Sequence, residues 1–390
     1  MVGEPRSRWL GRARATRHFD PGRDTLKPKA NAGRPLTTSS FKAGAAAWSP
    51  GVAAELVLHD LLDRELGRAS TVAQAERRLF EDLRAAVTGG GKRLRPTFCH
   101  WGHVGACGES PDASGAQLGA ALELLHTFAL VHDDVMDGSE SRRGQPAVHA
   151  RYAAEHERGD LAGDGRRFGD GMAILVGDLA FALANRLVGG LGEHVGDIWY
   201  AMCGELVRGQ YLDLAGTAGR VRSLPYAARV ASLKSGRYTV VRPLQLGAAA
   251  AGRTDAALHD AYEAYGEPLG QAFQLRDDLL GVFGDPVRTG KPVGADLRDG
   301  KPTVLLAIVV ERAPRAAKGL LDRIGTPGFD DDDVEAVVAL AEDTGARYEV
   351  SRLIAAAVAD ARDALEAGAI HAAAQPALLG LTDQAAWRDA

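Results

Sequence analysis

Three cysteines in 390 residues, Cys99, Cys107 and Cys203, are too few and too scattered for a disulfide framework or a zinc site. A reducing compartment is the simplest reading, and a cytoplasmic location is expected. Aromatic residues make up only 6% of the chain, and the β-branched alternation that marks strands is missing. Ala-rich apolar stretches favour helix packed on helix instead. No run approaches about 18 uninterrupted apolar residues, so no transmembrane helix is expected. A net charge of −5 argues against a general nucleic-acid binder. No repeat of fixed period is present, and no Ser–His or Cys–His pairing suggests a nucleophilic enzyme.

What is there begins with a compositional break. Residues 1–48 hold ten Lys/Arg and three acids, a net +7, which leaves the rest of the chain at −12. Rich in Arg, Pro, Gly and Ser, this stretch reads as a disordered basic extension. Its start has something of an organellar transit peptide, but Glu4, Asp20, Asp24 and the prolines favour a plain flexible extension. Residues 49–390 read as one all-α domain. Helical apolar periodicity begins near Val52 and continues through residues 116–136, 171–189, 195–215, 227–251, 256–284 and an Ala-rich stretch at 334–367. Arg151–Asp170 reads as a surface loop with a short helix, and Thr326–Asp333 as a polar insert whose acids cap the next helix.

Four segments carry chemistry. In VHDDVMDGSESRRGQPAVH (131–149), Asp133 and Asp137 lie four residues apart, about 40° from each other on one helix face. Carboxylates stacked this way can bridge hard divalent cations and leave positions open for phosphate oxygens. Arg142 and Arg143 follow, and guanidinium forks match those oxygens. The bland alternative is a solvated acidic helix end before a basic loop. In GQAFQLRDDLLGVFGDPVRTGKP (270–292), Gln274, Asp277 and Asp278 sit within one turn of an otherwise apolar helix. Burying such a pair is costly unless a cation or donor compensates it. Local pairing with Arg276 would be the structural alternative. GGGKRLRP (89–96) brings Lys92, Arg93 and Arg95 to a helix start, a natural anion site, without the features of a P-loop. Lys234-Ser235, Lys291 and Lys301 would be ordinary solvated residues singly, and a phosphate-neutralising set together.

These segments, with GDLAFALAN, KSGRYT and TGKPVGADLRDGKPTVLL, resemble the trans-isoprenyl diphosphate synthases (polyprenyl synthetases) in order and spacing over about residues 52–385. The resemblance implies a single bundle of long antiparallel helices around a central cavity, commonly a homodimer. It implies that Asp133 and Asp137 bind two Mg²⁺ ions and Asp277 a third, all shared with an allylic diphosphate held by Arg142, Lys234, Lys291 and Lys301. Lys92, Arg95, His126 and Arg143 would hold isopentenyl diphosphate, and Gln274, Ser235 and Lys234 would line the space where positive charge develops. Two departures stand out. Gly281 replaces a third acid in the second motif, and Ser235 replaces the usual Thr.

Product length should be set beneath the first aspartates. Phe128 and Ala129 precede Asp133 by five and four residues, roughly 6–8 Å lower along a helix. An aromatic there with an uninterrupted DDxxD resembles geranylgeranyl (C20) synthases, with farnesyl (C15) synthase the runner-up. Simple core packing would also suit Phe128. Other readings are a class I terpene cyclase, which would not need GGKRLRP, and a non-catalytic subunit of a heteromeric synthase, in which the aspartates are usually eroded. His132 reads as a helix residue and not a general base.

Overall fold

The computed structural model describes residues 49–69, 74–284 and 293–387. The expectations for residues 1–48 and for Lys291 fall outside these. Helices dominate: α1 (Pro50–Arg68), α2 (Gln74–Thr88), α3 (Leu94–Cys107), α4 (Ala113–Asp137), α5 (Val148–Arg158), α6 (Gly165–Val188) and α7 (Glu193–Ala218). Then follow α8 (Leu224–Ala231), a π-helical stretch (Ser232–Val241), α9 (Arg242–Ala250), α10 (Ala256–Phe283), the short α11 (Ala295–Asp299) and α12 (Val304–Arg312). After a 3₁₀ turn come α13 (Lys318–Arg323), α14 (Asp331–Asp343), α15 (Ala346–Glu366) and α16 (Gln375–Ala386). The all-α expectation holds, and the only paired strands among the described residues are a two-residue hairpin, Ser141–Arg142 with Gln145–Pro146.

The central helix α4 is set by both ends. Asp112 caps its first turn by accepting from Ser114 N, and Gly138, at φ +65°, ends it in the left-handed conformation that glycine tolerates best. Between them Leu118, Leu122, Leu124 and Leu125 are buried against α1, α2, α6 and α7. A second core joins α10 to α12, α14 and α15, and a third joins α3, α9, α10 and α16. Close crossings rest on small residues. A Cβ on Gly102 of α3 would stand 2.6 Å from Leu244 Cα on α9, and one on Gly247 of α9 would stand 2.6 Å from His103 N. The abundant Ala and Gly thus let backbones touch where larger side chains would hold helices 8–10 Å apart.

Several boundaries differ from expectation. The stretch 227–251 is not one α-helix, because a π-helical segment interrupts it. The stretch 334–367 is two helices, broken at Thr344–Gly345, where Gly345 adopts φ +67°. Most of 151–170 is helical, with only 159–164 linking α5 to α6. The hairpin turns on Arg143 and Gly144, both at positive φ (53° and 73°), the geometry that matches strand twist in a two-residue turn. Asp330 caps α14 by accepting from Asp333 N, as expected of that acidic run. By length and composition alone one helix, α6, is long and apolar enough to cross a membrane. It packs against α4 and α5, and 39% of its most apolar stretch is buried.

Candidate active site

The C-terminal end of α4 opens onto a cavity of about 520 Å³. Its walls bring together Lys92, Arg95, His126, Asp133, Arg142, Arg143, Lys234, Ser235, Gln274, Asp277 and Lys301. Asp137 joins them through Lys301, whose Nζ donates to Asp137 Oδ2 at 2.6 Å. Residues far apart in sequence therefore converge on one space, and the acid-bearing segments of α4 and α10 border it together.

The aspartate of the first motif is heavily compensated. Lys234 Nζ donates to Asp133 Oδ1 at 2.9 Å, and Gln210 Nε2 donates to the same oxygen at 3.0 Å. Burial alone would raise the Asp133 carboxyl, but the Lys234 and Lys301 charges hold it well below the usual carboxylate range. Burial likewise would lower both lysines, yet their aspartate neighbours hold them above the ordinary lysine value. The intervening Asp134 turns the other way. It is buried, and it accepts from Arg142 Nε at 2.9 Å, fixing that guanidinium within 3.5 Å of Asp133 Oδ2.

The second motif splits in the same fashion. Asp277 lines the cavity. Asp278, only 3% exposed, accepts from Gln274 Nε2 at 2.9 Å and from Val304 N, at the start of α12, at 3.3 Å. Burial pushes its carboxyl up to about 7, with Asp296 and Asp277 adding repulsion and the Gln274 bond opposing it. A wall that carries several carboxylates suits a hard divalent cation such as Mg²⁺, whose preferred ligands are carboxylate and phosphate oxygens. Among the described residues, however, no three His, Cys, Asp or Glu side chains stand gathered as a ready ligand set. The lysines hold the α4 aspartates instead.

The opposite side is cationic. Arg95, 8% exposed, donates from Nη2 to Tyr238 Oη at 2.6 Å and to Thr239 Oγ1 at 2.9 Å, and its guanidinium lies over the Tyr238 ring. Its buried Nε has no partner. His126 Nδ1 is 3.2 Å from Tyr238 Oη, and burial with the Arg95 and Arg143 charges drives its pKa far down, so the ring is neutral near pH 7. Arg143 donates to Gly90 O, which ties the hairpin turn to the glycine loop. Arg93 is spent on the scaffold, bonding Glu123, Glu55 and Val87 O.

Sequence reasoning missed Gln210, Asp213, Tyr238 and Asp296. Asp213 Oδ2 accepts from Lys234 Nζ at 2.6 Å and aims that lysine at Asp133. Gln210 and Asp213 lie three apart on α7, a polar pair in an apolar helix that could have been noticed. Phe128 and Ala129 are not on the cavity wall. They pack in the core between α4 and α6, the Phe128 ring 4.9 Å from Phe181 and 4.6 Å from His132. His132 points to α6, with Nε2 3.1 Å from Ile174 O, consistent with a packing role.

Residues 76–341 match the polyprenyl synthetase family. The chain is 34% identical to a short chain isoprenyl diphosphate synthase of Methanothermobacter thermautotrophicus over 58% of its length and 65% of that relative's. It is 36% identical to a (2E,6E)-farnesyl diphosphate synthase of Mycobacterium tuberculosis, over 66% of this chain and 68% of that one. Among solved structures, it superposes on a Corynebacterium glutamicum geranylgeranyl pyrophosphate synthase complexed with isoprenyl diphosphate and magnesium. The TM-score there is 0.81 at 34% identity, covering 87% of this chain and 98% of that one.

Proposed function

This chain belongs to the polyprenyl synthetase family, and from that premise we propose that it condenses isopentenyl diphosphate with an allylic diphosphate, adding five carbons per cycle to give geranylgeranyl diphosphate. The observation that carries the reading is one cavity with two anion-binding sides of different kind. One side pairs lysines and Arg142 with aspartates, and the other offers Lys92, Arg95, Arg143 and a neutral His126.

Asp133, Asp137 and Asp277 would hold Mg²⁺, in the proposed stoichiometry of three ions per site. When bound, Mg²⁺ would neutralise the allylic diphosphate and make it a competent leaving group. Arg142, Lys234 and Lys301 are placed to transfer from aspartate to phosphate oxygens as the substrate enters, and Lys291 would join them. Lys92, Arg95, Arg143 and His126 orient the second diphosphate so that the homoallylic double bond faces the breaking C–O bond. The Ser235 hydroxyl and the Gln274 amide line the space where the allylic cation develops, and their dipoles favour it. The new C–C bond forms from that double bond, and the proton lost afterwards goes to the departing diphosphate.

Purified protein with Mg²⁺, labelled isopentenyl diphosphate and each allylic primer tests this directly, with C20 expected as the longest major product. A C15 limit would replace the product assignment by farnesyl diphosphate. A cyclic hydrocarbon, or no turnover without a second kind of chain, would overturn the function itself. Phe128 packs on Phe181 outside the cavity wall, so it would act as a floor only where the growing chain extends past the cavity into the core between α4 and α6. Phe128→Ala should lengthen the product by at least one five-carbon unit, and an unchanged limit would remove Phe128 from that role.

A further inference from the structure

Arg237 lies inside KSGRYT, and the reaction proposed above gives it no task. Its side chain is 13% exposed and meets carboxylates from two helices. Nε donates to Glu205 Oε1 of α7 at 3.1 Å, and Nη1 donates to Glu263 Oε1 of α10 at 2.8 Å and also to Glu267 of α10. Arg242, at the start of α9, completes the cluster by donating from Nε to Glu205 Oε2 at 2.8 Å. Burial alone would raise the Glu205 carboxyl, but Arg242 and Arg237 hold it below the usual carboxylate range. None of these charged side chains lines the cavity.

The cluster stands at the far end of two stripes that grip the π-helical stretch. On α7, Glu205, Gly209 and Asp213 recur at helical spacing and share a face. Glu205 holds Arg237, Gly209 admits the Lys234 backbone, and Asp213 Oδ2 accepts from Lys234 Nζ at 2.6 Å. The two ionic contacts are about 12 Å apart along the α7 axis. On α10, Glu263 and Glu267 hold Arg237, Gly270 faces Gly236, and Gln274 reaches the cavity. Each helix thus offers carboxylate to Arg237, a glycine to the backbone and a polar side chain to the cavity end. Turns of π-helix are rare and mostly single, so a stretch from Ser232 to Val241 needs support from outside itself.

We infer that Arg237 is a positioning residue: by joining Glu205 of α7 to Glu263 and Glu267 of α10, it fixes where the π-helical stretch lies, and with it Lys234. This rests on the prenyl-transfer reading above and adds to it a residue outside the cavity. Neutral replacement of a buried ion cluster is often harmless to stability, so position and stability can be separated.

Two readouts test it on the full-length protein, each beside a thermal melt: kcat at saturating substrates, and calorimetric binding of inorganic pyrophosphate with Mg²⁺. Arg237→Met should lower kcat about a hundredfold, the cost of misplacing a catalytic group by about 1 Å. Pyrophosphate should bind about tenfold more weakly as Lys234 loses its register, the scale of one charged hydrogen bond. That change takes the cation from Glu263 and Glu267. Combining it with Glu263→Gln and Glu267→Gln removes the stranded charge, while Arg242 still holds Glu205. The combined variant should melt near the wild-type temperature and keep both losses. Recovery of kcat and pyrophosphate affinity there would overturn the inference, since charge balance and not position would explain the loss. Arg237→Lys decides the matter if neither variant folds. One ammonium cannot reproduce the guanidinium fork, so kcat should fall about tenfold, and wild-type kcat would overturn the assignment. If the wild type transfers prenyl groups and Arg237→Met matches it in both readouts, this inference alone fails. A wild type without prenyl transfer fails the wider reading instead, and the pyrophosphate measurement still reads the role of Arg237.

Discussion

Lys301 and Asp137 meet at 2.6 Å with their side chains 15% and 9% exposed, and Lys234 meets Asp133 at 2.9 Å. A buried carboxylate without a partner is costly, so without substrate each lysine supplies the charge that each aspartate needs. On the proposed function, a diphosphate with its cations would give the aspartates stronger partners and free the lysines to turn toward phosphate. Lys301→Met should therefore lower kcat by about two orders of magnitude, the scale of losing one preorganised charge-stabilising donor. Steady-state kinetics with saturating Mg²⁺ checks this, and an unchanged kcat would mean that Lys301 serves Asp137 alone. Most of these residues were legible in the sequence because helical spacing alone stacks Asp133 over Asp137 and sets Arg142 just beyond. The roles within each pair were not. That Asp134 and Asp278 turn away to anchor Arg142 and the start of α12 depends on helices that meet only in the fold.

At the scale of elements, the π-helical stretch Ser232–Val241 carries Lys234, Ser235 and Tyr238 into the cavity. It is seated between two glycines of other helices. A Cβ on Gly209 of α7 would stand 2.6 Å from Lys234 Cα, and one on Gly270 of α10 would stand 2.6 Å from Gly236 Cα. The widened turn and the close approaches go together, since π-helical turns sit at functional positions when packing supports them. Gly209→Ala should push the Lys234 backbone outward, costing about 1–3 kcal/mol of stability as overpacking does. kcat should fall with it, because Lys234 would lose its register with Asp133 and Asp213. Gly67→Ala on α1, where a Cβ meets nothing, is the matched control and should be neutral or stabilising by up to about 1 kcal/mol. Thermal melts and kinetics of the pair decide it, and equal behaviour would show that the π-helical seat is not tight. Apolar periodicity revealed the long helices, but it is blind to such a seat. One extra residue per turn leaves no mark in a 3.6-residue pattern, and its cause lies in α7 and α10.

The whole molecule leaves one face unsatisfied. On α7, Tyr200, Val207, Tyr211 and Leu214 recur at heptad-like spacing and are exposed, Tyr200 at 81% and Tyr211 at 71%. Ile174 and Leu175 of α6 and Met136 at the end of α4 are exposed as well. Contiguous apolar patches of this kind are uncommon on monomers and mark interfaces. The same apolar character makes α6 long and hydrophobic enough to resemble a membrane span, though a second copy of the chain would cover it equally well. We therefore propose a homodimer through α6 and α7. The consequence reaches the site, because α7 also carries Gln210 and Asp213, which hold Asp133 and Lys234. Gln210 Nε2 lies 3.6 Å from Met136 Sδ, so the exposed face and the cavity share a side chain. Val207→Asp with Tyr211→Asp should place two charges in the centre of the interface and convert the dimer to a monomer. Light scattering during size-exclusion chromatography reads this as a halved mass. Activity per chain should fall in the same variant, because α7 loses the partner that steadies it while every cavity residue remains. A wild-type protein that runs as a monomer at micromolar concentration would overturn the dimer. A monomeric variant with full activity would show instead that α7 holds Lys234 without help from a second chain.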